Sequence, residues 1–274
     1  MSLVVYRNLE ATPCIPRLIH QTWKTAEVPK HWESSRRSWE GWEGWTYQLW
    51  TDATMDAFMV EHYPWFVVQY RAYPRGIYRA DAWRYFVLHH YGGIYVDLDI
   101  EAKPQAFRAF YELVKHQKVV LSQARHATGS QPLTNAIMMS QPQVDFWPRV
   151  WAVLQGPDSV RGWKRMVRWI PYFHVLMTTG PGIVCDAHST YRGPHNIYVA
   201  PAGLLQPGQR SDQPPIDTTE SVVKTLPGSS WHEAGSGVFP RMGAFFADHT
   251  VLLLGCIVAA LVLVIVGLVV WRRR

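Results

Sequence analysis

The sequence predicts an α/β domain built on a largely parallel sheet, with a single transmembrane helix appended at the C-terminus. Three observations carry that expectation. Short strand-like apolar runs alternate with helical patterns through the first part of the chain, the arrangement that gives parallel sheets with helical crossovers. The double glycine Gly92-Gly93 separates a helical pattern from the strand-like run IYVDLDI. Residues 250–271 read TVLLLGCIVAALVLVIVGLVVW, free of charge and proline, and are followed by RRR.

In order along the chain, Ile15 to Ile19 reads as a first strand with Pro16 near its start, leading into a polar loop. Trp45 to Asp52 alternates aromatic and polar residues and reads as a second. Asp52 then suits the N-cap of a helix through about His62, ended before Pro64. A helical pattern over about Arg79 to His90 stops at Gly92-Gly93, and Ile94 to Ile100 is the next strand. VVLSQ, NAIMMS, TTGPGIV and HNIYVAP follow as shorter apolar segments, with an aromatic and basic region from Phe146 to Phe173 among them. A loop rich in Pro, Gly, Ser and Asp runs from Pro207 to Ser230.

The terminal apolar run matches the ~30 Å hydrocarbon core of a bilayer at 1.5 Å per residue. Trp271 falls at an interface, and Arg272, Arg273 and Arg274 mark the cytosolic side. The expected layout is a main domain over 1–240, a linker over 241–249, the span over 250–271 and a basic tail over 272–274. That orientation favours a domain in the lumen of the Golgi or endoplasmic reticulum. MSLVVYRNLEATPC has no apolar stretch long enough for a signal peptide, which leaves a cytosolic-facing tail-anchored protein as the alternative.

The 274 residues carry a formal charge of +6 and 14 Trp, a composition that excludes a disordered chain. No zinc-ligand spacing or RNA-binding signature accompanies the positive charge, so nucleic acid is not an expected partner. Cys14, Cys185 and Cys256 form no CxxC clip, and a Cys14–Cys185 bridge stays open.

The chemistry concentrates at Asp97-Leu98-Asp99. On a strand the two carboxylates point the same way while Leu98 points into the core. In open α/β sheets ligands sit outside the carboxyl ends of the strands, where this pair would stand. Two neighbouring carboxylates repel, and a hard divalent cation such as Mn²⁺ or Mg²⁺ resolves the conflict. The plainer reading is a solvated strand end. Asp81 and Arg84, three apart on a helix, are either an exposed ion pair or a clamp on sugar hydroxyls. A phosphatase of the haloacid-dehalogenase type also has a DxD at a strand end. It requires Thr or Val two residues after the second Asp, where this chain has Glu101.

The segments IPRLIHQTWK, WTYQLW-D and RADAWRYFVLHHYGGIYVDLDI, in that order, resemble the signatures of glycosyltransferase family 32, strongly over roughly 13–105, with weaker echoes in NAIMMS, TTGP and GSSWH. The family includes inositol-phosphoceramide mannosyltransferases and polysaccharide-initiating mannosyltransferases. The resemblance implies the Rossmann-like GT-A fold, a nucleotide-sugar donor and Mn²⁺ (or Mg²⁺). It implies that Asp97 contacts ribose and sugar and assists the metal, that Asp99 ligates the metal, and that Asp81 and Arg84 hold the donor sugar. His20, Gln21, Thr22 and Trp23 would line the nucleotide pocket, with Trp23 stacking on the base or else closing the core. Asn135 would face the sugar or cap a turn. Ser230 or His232 would complete the metal shell, and Trp231 would donate to a phosphate oxygen; the same segment also reads as a plain polar loop.

The family is retaining. No side-chain nucleophile stands out, which favours front-face attack with the leaving diphosphate taking the acceptor's proton. The expected reaction moves a hexose, mannose from GDP-mannose first, to a membrane-proximal acceptor such as inositol phosphoceramide or a glycan. Galactosyl or glucosyl transfer from a UDP-sugar is the alternative, and a non-catalytic nucleotide-sugar-binding membrane protein is the third reading. On the acceptor side, Trp147, Trp151, Trp163, Trp169 and Phe173 interleave with Arg149, Arg161, Lys164, Arg165 and Arg168. They read either as a membrane-interface helix or as a core helix with solvated cations.

Overall fold

In the computed structural model the chain is described over residues 13–124, 132–156, 171–194, 197–206 and 220–227. The strands are β1 (Leu18–Thr22), β2 (Thr46–Trp50), β3 (Gly93–Val96), β4 (Ile100–Ala102), β5 (Val119–Gln123), β6 (Leu133–Ser140), β7 (Ile197–Ala200) and β8 (Val223–Thr225). The helices are α1 (Glu33–Trp39), α2 (Asp52–His62), α3 (Val67–Ala72), α4 (Gly76–His90), α5 (Pro104–Val114), α6 (Phe146–Gln155), α7 (Pro171–Thr178), α8 (Pro181–Thr190) and α9 (Ala202–Leu205).

The central sheet has the order β2-β1-β3-β6-β5-β7, and β4 and β8 form a separate ribbon. β1 runs parallel to β2 and β3, and β5 parallel to β7, while β6 runs antiparallel to both of its neighbours. Every sheet strand but β6 therefore points one way. The expected largely parallel sheet is present, and the mixed α/β architecture around a central sheet with it.

Pleating divides the core into two. Ile94 and Val96 of β3 join Ile19, Trp39, Phe107, Ile137 and Met139 on one face. Tyr95 joins Met138, Phe58, Trp83, Phe86 and Trp147 on the other. Single side chains of this size removed from water contribute roughly 1.5–3 kcal/mol each.

Several boundaries differ from the sequence reading, each for a local reason. Ile15 stays outside the first strand because its N–H donates to Lys115 O at 2.7 Å, and Pro16 has no N–H to offer a ladder. Thr51, not Asp52, caps α2: its hydroxyl accepts from Thr54 N while Thr54 Oγ1 accepts from Thr51 N. Asp52 falls in the first turn, where its charge suits the helix dipole. α4 starts at Gly76, one turn earlier than expected. The Pro207–Ser230 loop contains β8. Trp147 and Trp151 serve the core: Trp147 is buried, and Trp151 stacks on Phe86 at 4.8 Å.

Cys14 is exposed and Cys185 buried, and no disulfide joins them. Among the described residues no helix is long and apolar enough to cross a membrane. The expected linker, span and basic tail, together with Arg161, Lys164, Arg165 and Arg168, lie outside them.

Candidate active site

The carboxyl edge of the sheet is assembled by strand register. Val96 of β3 pairs with Ile137 of β6, and beyond the last pair Asp97 N–H donates to Ala136 O at 2.7 Å. This puts Asn135 beside Asp97. The chain reaches that position only through Gly92 and Gly93, both with positive φ (66° and 91°). A Cβ on Gly93 would stand 2.4 Å from Leu18 O, so β3 packs against β1 at a distance only glycine permits.

The predicted continuous strand from Ile94 to Ile100 breaks here. Asp97, Leu98 and Asp99 form a turn closed by Ile100 N–H donating to Asp97 O at 3.1 Å, and the chain leaves the sheet to pair with β8. The acids are thus presented by a turn rather than by strand alternation, with Leu98 buried beneath. The turn is anchored from outside: Leu226 N–H donates to Asp99 O at 2.7 Å, and Ser35 Oγ and Trp39 Nε1 both donate to Ile100 O.

Behind the turn, α4 places Asp81, Arg84 and Tyr85 on the face that meets β6. Arg84 Nη2 lies 2.6 Å from Asp81 Oδ1, and Nη1 lies 3.3 Å from Asp97 Oδ1 and donates to Asn135 O at 2.8 Å. Nε donates to Ala80 O at 3.4 Å, and the guanidinium packs 4.4 Å above the Tyr95 ring. The exposed ion pair considered for Asp81–Arg84 is in fact buried. Arg84's expected grip on sugar hydroxyls also changes form, because its donors are engaged by protein groups and it orients Asp81 and Asp97 instead. Asn135 Nδ2 donates to Asp81 Oδ1 at 3.2 Å and to Tyr85 Oη at 3.1 Å.

His20, Gln21 and Thr22 belong to β1 rather than to a loop. His20 is a correction: it is buried, accepts at Nδ1 from Trp50 Nε1 (3.1 Å) and meets Gly92 O at Nε2 (3.0 Å), so both ring nitrogens are used in bracing the sheet. Gln21 donates to Asp97 O at 3.4 Å and accepts from Tyr47 Oη at 2.8 Å. Thr22 Oγ1 meets Tyr95 Oη at 3.3 Å, and Tyr95 Oη donates to Asp97 Oδ1 at 2.8 Å. Trp23, half-buried at the end of β1, packs edge-on to Trp32 at 5.2 Å. Ser230, Trp231 and His232 lie outside the described residues.

Electrostatics set the character of the site. Burial raises the Asp81 carboxyl to about 6, against the pull of Arg84. Burial also raises Asp97, although its side chain remains 30% exposed. Asp99 is pushed up to about 8, first by burial and then by the charge on Asp97. Burial opposes the charge on Arg84, but Asp97, Tyr95 and Asp81 outweigh it and hold the guanidinium protonated. Three carboxyls thus share one guanidinium.

This donor set fits a divalent cation. Two half-exposed carboxylates with excess negative charge are what Mg²⁺ or Mn²⁺ takes from a protein when substrate phosphates and water supply the other ligands. Among the described residues no set of three or more His, Cys, Asp or Glu is arranged to hold a metal ion. Tyr95 and Tyr85 were missed in the sequence. The i, i+2 spacing of Tyr95 and Asp97 is a signal for the first; the contacts of Tyr85 depend on long-range packing and leave none.

Residues 29–119 match the family model described as "Glycosyltransferase sugar-binding region containing DXD motif". The chain is 31% identical over 266 residues to "Inositol phosphoceramide mannosyltransferase 1" of Schizosaccharomyces pombe, covering 95% of this chain and 75% of that one. It belongs to the DXD-containing glycosyltransferase family. "Inositol phosphoceramide mannosyltransferase 2" of the same yeast is 30% identical over 236 residues, 84% of this chain, which spans 62% of that relative's length. A solved structure, "PaToxG Glycosyltransferase", aligns with a TM-score of 0.40 at 14% identity, over 64% of this chain and 69% of that one. Within the family's DXD motif, Asp97 and Asp99 are the two acids of this chain.

Proposed function

We propose that this chain is a metal-dependent, retaining mannosyltransferase of GT-A type that carries mannose from GDP-mannose to the inositol phosphate headgroup of a ceramide lipid. The observation that carries the proposal is the Asp97–Asp99 turn, half-exposed at the carboxyl edge of the sheet and backed by the buried Asp81–Arg84–Asn135 cluster. The mannosyl group and the inositol phosphoceramide acceptor are those in the names of the relatives, and GDP-mannose is the donor proposed with them. A lumenal catalytic domain tethered to its membrane by residues 250–271 completes the proposal.

In this reading Asp99 and Asp97 hold a divalent cation, which supplies positive charge against the departing diphosphate. Asp81 presents Oδ2 to a hydroxyl of the donor sugar. Arg84 keeps both Asp81 and Asp97 ionised and fixed, so the carboxylates are organised before the donor arrives. The anomeric carbon–diphosphate bond breaks and the bond to the acceptor oxygen forms on the same face. The acceptor's proton passes to a leaving phosphate oxygen, so no protein nucleophile is required.

The test incubates the full chain with Mn²⁺, inositol phosphoceramide in detergent, and GDP-mannose, UDP-glucose or UDP-galactose in parallel. An α-mannosylated lipid formed only with GDP-mannose and metal is the expected result. Transfer confined to a UDP-sugar would refute the mannosyl assignment, and no turnover of any donor would refute the transferase.

A further inference from the structure

Among the described residues, two oxygens of the buried cluster have no hydrogen-bond partner: Asp81 Oδ2 and Thr179 Oγ1. Asp81 is 1% exposed and Thr179 is fully buried. Buried polar atoms are nearly always paired, because an unpaired one forfeits its water without recompense, so a pair of orphans in one place calls for a partner.

The fold brings these atoms together through one side chain. Tyr85 Oη donates to Thr179 O at 2.8 Å, with Gly180 O at 3.2 Å, and accepts from Asn135 Nδ2. The same Asn135 amide donates to Asp81 Oδ1. Both amide hydrogens are thereby used, which fixes the orientation of Asn135 and leaves Asp81 Oδ2 outside the network. Thr179 links α7 to α8, and Tyr85 pins that link against Asp81. The Thr179 hydroxyl is close enough to favour the charged form of Asp81, yet it closes no hydrogen bond. An acceptor oxygen and a hydroxyl left unpaired in the same cluster suit a group that both donates and accepts, which a sugar hydroxyl does.

We infer that Thr179 is a donor-contacting, specificity-determining residue, one hexose hydroxyl donating to Asp81 Oδ2 and accepting from Thr179 Oγ1, and that Tyr85 is the positioning residue that sets Thr179 in place. The inference rests on the transferase reading above and extends it to a residue far along the chain.

The experiment compares wild type with Thr179→Val, Thr179→Ser and Tyr85→Phe in the full chain with Mn²⁺. It measures Tm and the ratio of kcat/KM for the preferred nucleotide hexose to that for its epimer. A partly misfolded preparation lowers both rates alike and cancels in that ratio. Thr179→Val is expected to keep the wild-type Tm, since its lost hydroxyl closes no hydrogen bond among the described residues, while discrimination falls about tenfold, the scale of one lost hydroxyl contact. Thr179→Ser retains discrimination. Tyr85→Phe loses discrimination in the same direction and also lowers Tm. An unchanged ratio in Thr179→Val, with or without a fall in Tm, overturns the inference alone and leaves an ordered water as the partner of the two oxygens. A wild type that turns over no nucleotide sugar overturns the transferase reading and the inference with it.

Discussion

Arg84 Nη2 sits 2.6 Å from Asp81 Oδ1 with both side chains almost wholly buried, at 3% and 1% exposure. Such a pair holds together at the cost of two desolvated charges, and its removal by halves is what hurts. Arg84→Met leaves Asp81 buried without its cation and is expected to lower stability by about 3–5 kcal/mol. Adding Asp81→Asn should recover much of that loss, since the remaining groups are neutral. Arg84→Lys should behave like the Met variant in activity, because an ammonium cannot span Asp81, Asp97 and Asn135 O at once. Urea denaturation of the single and double variants measures the coupling; additive losses would show that the pair does not act as one unit.

The parts of this site that were legible in the sequence are local ones. The Gly-Gly stop, the helix before it and the paired acids after it all follow from neighbours within a few residues, and family membership followed from their order. Two features were not legible. The turn at Asp97–Asp99 depends on β8 drawing Ile100 out of the sheet, a partner 125 positions away in the register Ile100↔Thr225. Tyr85 and Thr179 are 94 residues apart, and nothing in either segment announces the other. His20 misled for a different reason: beside Gln21 and Thr22 it looks like a polar pocket residue, and only the Trp50 indole N–H and the Gly92 carbonyl, both brought by other strands, make it a core group.

The Asp99 carboxyl, raised to about 8, is largely protonated at neutral pH when no cation is bound. Asp99→Asn therefore resembles the metal-free wild type and is expected to keep its Tm in the presence of a chelator. Adding Mn²⁺ should raise the Tm of the wild type by mass action but not that of the variant. Transfer should fall by a factor on the order of 10² or more, the scale of losing one preorganised charge-stabilising group. Calorimetry with and without Mn²⁺ reads the first effect and product formation the second; a metal-dependent Tm shift that survives in Asp99→Asn would remove this residue from the metal shell.

Gly93 and Gly41 make an internal comparison. Both have positive φ, 91° and 71°. A Cβ on Gly41 meets nothing within 4 Å, whereas one on Gly93 meets Leu18 O at 2.4 Å. Gly41→Ala is expected to cost only the backbone strain, roughly 1 kcal/mol. Gly93→Ala adds a backbone clash that pushes β3 from β1 and displaces Asp97, so its loss should exceed that of Gly41→Ala by several-fold and extend to donor binding. Equal losses in the two variants would mean that β1 and β3 can separate freely at that point.

Acid stability should report on His20. Buried between Trp50 and Gly92, its imidazole is lowered to about 4, burial being the larger cause and the Gly92 carbonyl partly opposing it. In the unfolded chain the same group takes a proton near 6.5. Between those values the unfolded state binds more protons, so stability contributed by neutral His20 is complete above about pH 6.5 and declines as the pH falls toward 4. The full swing is roughly 3 kcal/mol at 1.36 kcal/mol per pKa unit. His20→Gln, which offers an acceptor oxygen and an amide NH2 donor but no titrating ring, should start from lower stability at pH 7.5 and lose less of it between pH 6.5 and 4. Denaturant midpoints across that range decide the matter: parallel pH profiles for the two proteins would show that the imidazole protonates as readily folded as unfolded, against its burial and the Trp50 N–H that occupies Nδ1.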